Sequence, residues 1–373
     1  MKEDYEGFLY PVVDTVTCIE CGLCEKVCPV INQSESRKPL NVYAAKNKDE
    51  EIRIKSSSGG IFTSLAEAVI NEGGVVFGAK FDKNWNVVHD WTSTIEGIAE
   101  FRGSKYVQST IGDTYKEARE FLKQGRKVLF SGTPCQIAGL KFFLRKEYDN
   151  LLTVDFICHG VPSPGVWRRY LNETVARMCD KNTVSSDPIF KEDTSVTCVS
   201  FRNKHYGWKK FSFALTLSAT NRSGEKNSVS LLNTKYKNPF LIGFLRNLYL
   251  RPSCHHCPSK GFNSFSDITI ADFWGINDYM PKQNDHKGYS LVFIHNAKVK
   301  IDKQNIDFSL LDIKEICRNN WTIYNSSKQH PNRNTFFNEM NENSHTIEKL
   351  IGKYATVSLK KKIHLLIANL LGN

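Results

Sequence analysis

The chain has 373 residues, 40% hydrophobic and 24% charged, which allows a sizeable buried core and is ordinary for a globular protein. No apolar run approaches the roughly 20 residues of a membrane span, and the acidic start Met-Lys-Glu-Asp-Tyr-Glu lacks the regions of a signal peptide, so a cytoplasmic protein without a transmembrane segment is expected. The formal charge of +11 comes with no nucleic-acid-binding motif, which argues against nucleic acid and leaves a solvated basic surface or a face that steers an acidic electron carrier such as ferredoxin.

In chain order, the first chemistry-bearing element is Cys18-Ile-Glu-Cys21-Gly-Leu-Cys24-Glu-Lys-Val-Cys28-Pro29. Its C-x2-C-x2-C-x3-C-P spacing is that of bacterial ferredoxin runs. Three closely spaced thiolates in a tight turn reach three corners of one cubane, and Gly22 lets the backbone curl around it. Zinc prefers two C-x2-C knuckles separated by a long loop, and this run has no such loop. In two-cluster ferredoxins the fourth Cys of such a run binds the other cluster. Either all four thiols here serve one cluster, or further ligands come from elsewhere in the chain.

Asn32 to Pro39 reads as a polar linker. Val42–Ala45 predicts a strand. Ser56-Ser-Ser-Gly-Gly60 then opens a helix over 61–71 with Phe62, Leu65, Ala66 and Val69 on one face. Val75–Ala79 predicts a strand paired with 86–92. Helices are expected over 115–124 and 137–148, and strands over 127–130 and 151–157. This alternation makes a βαβ unit with parallel strands. Ser131–Cys135 and Cys158–Pro162 read as loops at the carboxyl ends of those strands. β-like pieces follow at 198–201 and 211–217, then a helix over 239–250, Cys254-His-His-Cys257, and a strand over 267–270. The last thirty residues read mainly as helix, with an amphipathic stretch over 360–371 behind three lysines.

Right-handed crossover puts both strand ends of a βαβ unit on one side, the edge at which open α/β sheets bind ligands. Cys135 and Cys158 are therefore either neighbouring accessible thiols or two small buried hydrophobes. Cys254-x2-Cys257 reads as a metal half-site. With the N-terminal run these make eight thiolates, enough for two 4Fe–4S clusters, and leave Cys179, Cys198 and Cys317 over. A Gly-Gly pair at a helix start attracts phosphate or simply caps the helix. Gly103-Ser-Lys105-Tyr106-Val-Gln-Ser109 combines a glycine, a cation, an aromatic ring and hydroxyls that suit a flavin or its pyrophosphate. The nicotinamide fingerprint is lacking.

Taken together, Ser57-Ser-Gly-Gly60, Gly103-Ser-Lys-Tyr106, Ser131-Gly-Thr-Pro-Cys-Gln136, Cys158-His-Gly-Val-Pro-Ser163, Cys254-x2-Cys257 and Ala271-Asp-Phe-Trp-Gly275 resemble the family made up of the beta subunits of coenzyme F420 (deazaflavin) hydrogenases and dehydrogenases. That family also includes 7-hydroxymethyl chlorophyll reductase. The resemblance spans roughly residues 40–295. It implies an iron–sulfur flavoprotein with FAD and two 4Fe–4S clusters. In it Cys135, Cys158, Cys254 and Cys257 are cluster ligands beside the flavin. The ferredoxin spacing of Cys18, Cys21, Cys24 and Cys28 leads to the expectation that this run serves the other cluster. Ser57, Ser58, Gly59 and Gly60 form one flavin-binding loop, and Gly103, Ser104, Lys105, Tyr106 and Ser109 the other.

The expected fold is α/β with α+β elements: a small ferredoxin-like module (1–38) followed by a mixed-sheet flavin and iron–sulfur domain (39–125 and 126–300) and a mainly helical extension (301–373). The expected function is an iron–sulfur, flavin-dependent oxidoreductase. The alternatives are a non-catalytic electron-transfer subunit docked to a partner redox enzyme and a structural zinc protein. His159 is the candidate proton donor, or a polar loop residue bonded to backbone. Lys105 either stabilises reduced, anionic flavin or faces solvent.

Overall fold

The computed structural model describes residues 1–33, 35–182, 194–220, 226–299 and 304–355. The amphipathic stretch expected over 360–371 lies outside the described residues. A hairpin of β1 (Lys2–Glu3) and β2 (Leu9–Tyr10) opens the chain, and α1 (Leu23–Lys26) is one turn inside the cysteine run. Next come β3 (Asn41–Asn47), α2 (Glu50–Lys55), α3 (Ile61–Asn71), β4 (Val75–Phe81), β5 (Val87–Thr92), α4 (Ile98–Phe101) and α5 (Thr114–Lys123). The βαβ unit is β6 (Val128–Ser131), α6 (Pro134–Leu144) and β7 (Leu151–Phe156), and it leads into α7 (Pro164–Asn182). Three long strands follow, β8 (Ser195–Asn203), β9 (Ser212–Thr220) and β10 (Lys226–Thr234), then α8 (Pro239–Leu245), β11 (Ile268–Asp272), α9 (Ile276–Tyr279), β12 (Ser290–Ile294) and β13 (Ile306–Leu311). Helices α10 (Ile313–Asn319), α11 (Arg333–Asn341) and α12 (Ile347–Ala355) complete the described chain.

Eight strands form one mixed sheet in the order β13-β3-β12-β11-β7-β6-β4-β5. Its centre, β4, β6, β7 and β11, is parallel, as the apolar run Val128-Leu-Phe130, buried on both faces, requires. The outer strands add antiparallel, including β5 on β4 across the expected turn. A separate antiparallel sheet, β10-β9-β8, packs through Phe201, Phe213 and Leu215 into an aromatic core with Trp167, Tyr170 and Phe240. No helix among the described residues is long and apolar enough to cross a membrane.

Three expectations change. Cys135 sits in the first turn of α6, not in a loop, because Thr133 and Gln136 form a capping box and Pro134 occupies the first helical position, where its fixed φ suits a helix start. The helix expected over 239–250 ends at Leu245. Asn247 turns left-handed (φ 62°) and Leu250 then bridges to Pro162. β10 is too polar in its first half to announce itself as a strand, and its pairing along β9 supplies what its composition does not.

The first ten residues are part of the main body. Phe8 is fully buried, and Gly7 lies so close to Gly165 that a Cβ would come within 2.5 Å of its Cα. Glu6 and Arg333, only 2% and 3% exposed, form a two-pronged ion pair, and Arg333 also donates to the Leu250 carbonyl. Replacing one partner of such a pair strands a buried charge, at a cost of about 3–5 kcal/mol. Arg333→Met is therefore expected to lower the denaturant midpoint by that order, and an unchanged midpoint would show that Glu6 escapes to solvent or protonates without penalty.

Candidate functional site

Parallel strands end together, so the segments after β6, β7 and β11 emerge at one edge. Cys135 follows β6 and Cys158 follows β7. Cys254 and Cys257 arrive from the short helical turn Pro252–His256, joined to the same edge by bonds from Arg251 N to the Val161 carbonyl (2.9 Å) and from Val161 N to Cys254 Sγ (3.4 Å). The four thiols lie within each other's electrostatic reach: Cys135, Cys254 and Cys257 all act on Cys158, and Cys257 on Cys135 and Cys254. Burial, reinforced by these like charges, pushes Cys254 up to about 12 and Cys158 well above the ordinary thiol value. Cys135 is open to solvent on one side but crowded on the others, and is also raised.

The N-terminal run is wound differently. Gly22 and Glu20 are both left-handed (φ 66° and 52°), and the Asn32 amide caps the carbonyls of Glu25, Lys26 and Cys28 at 2.6–3.2 Å. Cys18, Cys21 and Cys24 are exposed and Cys28 is half-buried. Among the described residues no three His, Cys, Asp or Glu side chains close around a single metal ion.

The two glycine-serine loops touch. Ser104 N donates to Ser57 Oγ at 2.7 Å, and the two hydroxyls lie 2.8 Å apart. Gly60 caps α3 at φ 83°, and a Cβ on Gly59 would meet the Ala45 carbonyl at 2.5 Å. That close approach explains the Gly-Gly pair. The second loop reaches the thiols through Gln136, whose Nε2 donates to Ser109 Oγ at 2.8 Å, and through Gln108, which accepts from Arg251 at 2.9 Å. All the expected loop residues and the four inner cysteines thus belong to one connected region.

The two expected proton and charge carriers are both held by hydrogen bonds. His159 faces Asn247 (Nε2 to Oδ1, 2.6 Å), and burial lowers its pKa, so its ring is held by a side chain and not by backbone. Lys105 does not face solvent freely. Its ammonium donates to the carbonyls of Glu100, Arg102 and Gly103 (2.7–3.3 Å), and burial pulls it down to about 7.

Several residues escaped the sequence reading. Arg202 on β8 is 6% exposed and donates to both oxygens of Asp272, to the Tyr106 hydroxyl and to the Ser57 carbonyl. Lys204, directly after the end of β8, donates to the carbonyls of Ser58, Arg53 and Lys287 at 2.6–2.7 Å, and burial, with Arg202 and Arg53 nearby, lowers it to about 7. No motif marks either residue, since β8 pairs in a sheet remote in sequence from the loops it holds. The only signal is a pair of cations two residues apart where β8 ends.

Against known families, the model "Coenzyme F420 hydrogenase/dehydrogenase, beta subunit N-term" matches residues 42–114, and its C-terminus counterpart matches 125–306. The chain belongs to this family. Among curated proteins it resembles one subunit of the F(420)H(2) dehydrogenase of Methanosarcina mazei, 29% identical over 147 residues, and an uncharacterised protein of Methanocaldococcus jannaschii, 28% identical over 143 residues. These matches cover 38% and 36% of this chain, and the chain spans about two fifths of each relative, 41% and 39%. Among solved structures it is similar to a chain of the F420-reducing [NiFe] hydrogenase complex from Methanosarcina barkeri, with a TM-score of 0.43 and 20% identity over 70% of this chain and 76% of that one.

The cofactors of this family are FAD and two 4Fe–4S clusters, and the residues present fit them. Eight thiols fall into two sets of four. Lys105 on the second loop and Lys204 just after β8 both donate to backbone carbonyls around the two loops, where a diphosphate would find two amines.

One titration follows from this region. His89 stacks on Phe130, lies 3.0 Å from the Ser131 carbonyl just ahead of Cys135, and is pushed down to about 4 by burial. A folded-state pKa below the unfolded value of 6.5 stabilises the fold above that pH, and the contribution is lost as pH falls toward 4. A shift of this size is worth about 3 kcal/mol. His89→Phe is expected to flatten the loss of stability between pH 6.5 and 4, read from denaturation midpoints. An equally steep loss in the variant would place the titrating group elsewhere.

Proposed function

We propose that this chain is an iron–sulfur flavoprotein oxidoreductase passing electrons between two 4Fe–4S clusters, FAD and a ferredoxin-like or two-electron partner. The observation that carries the proposal is the convergence of Cys135, Cys158, Cys254 and Cys257 beside the Ser57–Gly60 and Gly103–Ser109 loops. Bound there, the clusters would handle single electrons while FAD accepts or delivers pairs.

In this reading the inner thiols hold one cluster, and Cys18, Cys21, Cys24 and Cys28 hold the other in a ferredoxin-like module at the surface. The hydroxyls of Ser57, Ser58, Ser104 and Ser109, the glycine backbones and the Tyr106 ring line the flavin site. Lys105 and Lys204 contribute positive charge to it without contacting solvent freely. His159, held by Asn247, is the candidate proton donor beside the inner cysteines. The exposed outer run suits an acidic electron carrier or a partner redox subunit, and the expected location is the cytoplasm.

Anaerobically purified protein is expected to be brown, with about eight iron and eight sulfide per chain, and to release one FAD on heating. Stoichiometric zinc without iron would end this reading. Cys135→Ala should remove about four iron and spare the outer cluster, and Cys18→Ala should do the reverse. If Cys28→Ala abolishes the same cluster as Cys135→Ala, the two sets are interleaved.

Arg202→Met separately tests the loop clamp. It should reduce flavin per chain by half or more while iron stays near eight. Full flavin occupancy would place FAD away from Ser57 and Tyr106.

A further inference from the structure

Three buried guanidinium groups in this protein have a carboxylate: Arg53 has Asp285, Arg202 has Asp272 and Arg333 has Glu6. Two half-buried cations beside the inner cysteines do not. Arg251 donates only to the Leu9 carbonyl (3.1 and 3.2 Å) and Gln108 Oε1 (2.9 Å), and lies over the Tyr10 ring at 4.0 Å. Lys260 donates to the carbonyls of Cys158 and Thr322, both at 2.8 Å, and lines a small cavity with Cys158 and Cys257. Among the described residues neither forms an ion pair with an acid.

Both belong to the segment that supplies inner ligands. Cys254 N donates to the Arg251 carbonyl at 2.9 Å, and Lys260 follows Cys257 by three residues. Their charges act on the thiols from two sides, Arg251 on Cys135 and Cys254, and Lys260 on Cys158. Burial opposes them by penalising negative charge at the same thiols.

We propose that Arg251 and Lys260 set the reduction potential of the cluster held by Cys135, Cys158, Cys254 and Cys257, keeping it reducible in a buried site. Four thiolates around a cubane leave a net negative charge, and reduction adds one electron and no proton. The reduced state is thus the more negative one, and both cations stabilise it more than the oxidised state. The outer run and the residues leading into it carry Asp14, Glu20 and Glu25 against only Lys26. The inference rests on the inner cysteines holding a cluster, as proposed above.

The test is a dithionite titration of the full chain under anaerobic conditions, followed by electron paramagnetic resonance. The signal lost in Cys135→Ala identifies the inner cluster. If Cys135→Ala removes neither signal nor iron, the ligand reading fails before the cations are tested. Given that assignment, Arg251→Gln and Lys260→Gln should each lower the reduced-to-oxidised ratio of the inner cluster at fixed potential about tenfold, about 59 mV for one electron, and move the outer cluster less than twofold. Lys260→Arg, which keeps the charge, should stay within twofold of the unaltered chain. An unchanged or raised inner midpoint, or equal shifts at both clusters, overturns the proposal. Where a Gln variant assembles no inner cluster, Gln108→Glu decides, because it sets a carboxylate against the Arg251 guanidinium. Its inner midpoint should fall below that of the unaltered chain, and an unchanged midpoint overturns the proposal.

Discussion

The guanidinium of Arg202 holds the site together. It joins the end of β11 at Asp272, the first glycine-serine loop at Ser57 and the second at Tyr106, three segments far apart in sequence. Its charge is taken out of water, which is tolerable only because Asp272 meets it with two oxygens and aromatic faces of Phe211 and Trp274 cover it. Trp208 in turn donates to Asp272 and stacks on Trp274 at 4.9 Å. The motif Ala271-Asp-Phe-Trp-Gly275 therefore marks the docking point of β8 as much as the end of a strand.

That arrangement gives the three-stranded sheet a purpose. It adds no strand to the main sheet, yet through Arg202 and Lys204 it fixes the carbonyls of Ser57 and Ser58. The main sheet supplies the rest: Ser290 Oγ accepts from Gly59 N and the Tyr289 carbonyl accepts from Ser58 Oγ. The Ser57–Gly60 loop is thus gripped from both sides. Its conformation is set before anything binds.

Much of this was legible in the sequence. The parallel centre followed from alternating apolar runs and helical stretches, and the convergence of Cys135 and Cys158 followed from crossover handedness. Cys254 and Cys257 were legible as a half-site, but only the Leu250–Pro162 bridge and the Arg251–Val161 bond bring them to the other two. Arg202, Lys204, Arg251 and Lys260 were not legible. Each acts across a long sequence separation on a backbone carbonyl or a distant carboxylate, and such partners leave no spacing pattern. The same holds for Glu6 and Arg333, 327 residues apart.

The stretch carrying the outer cysteines is fastened at both ends to one segment of the body. Before it, Leu9 and Tyr10 lie on Arg251. After it, Ser36 Oγ and Arg37 N donate to the Gly261 carbonyl at 2.8 and 3.3 Å. Cys254 and Cys257 lie between those two anchor points. The outer cysteine set is therefore tethered to the segment that carries Cys254 and Cys257, at an effective concentration set by the tether. Encounter between the two sets is a unimolecular event, unaffected by dilution of the protein.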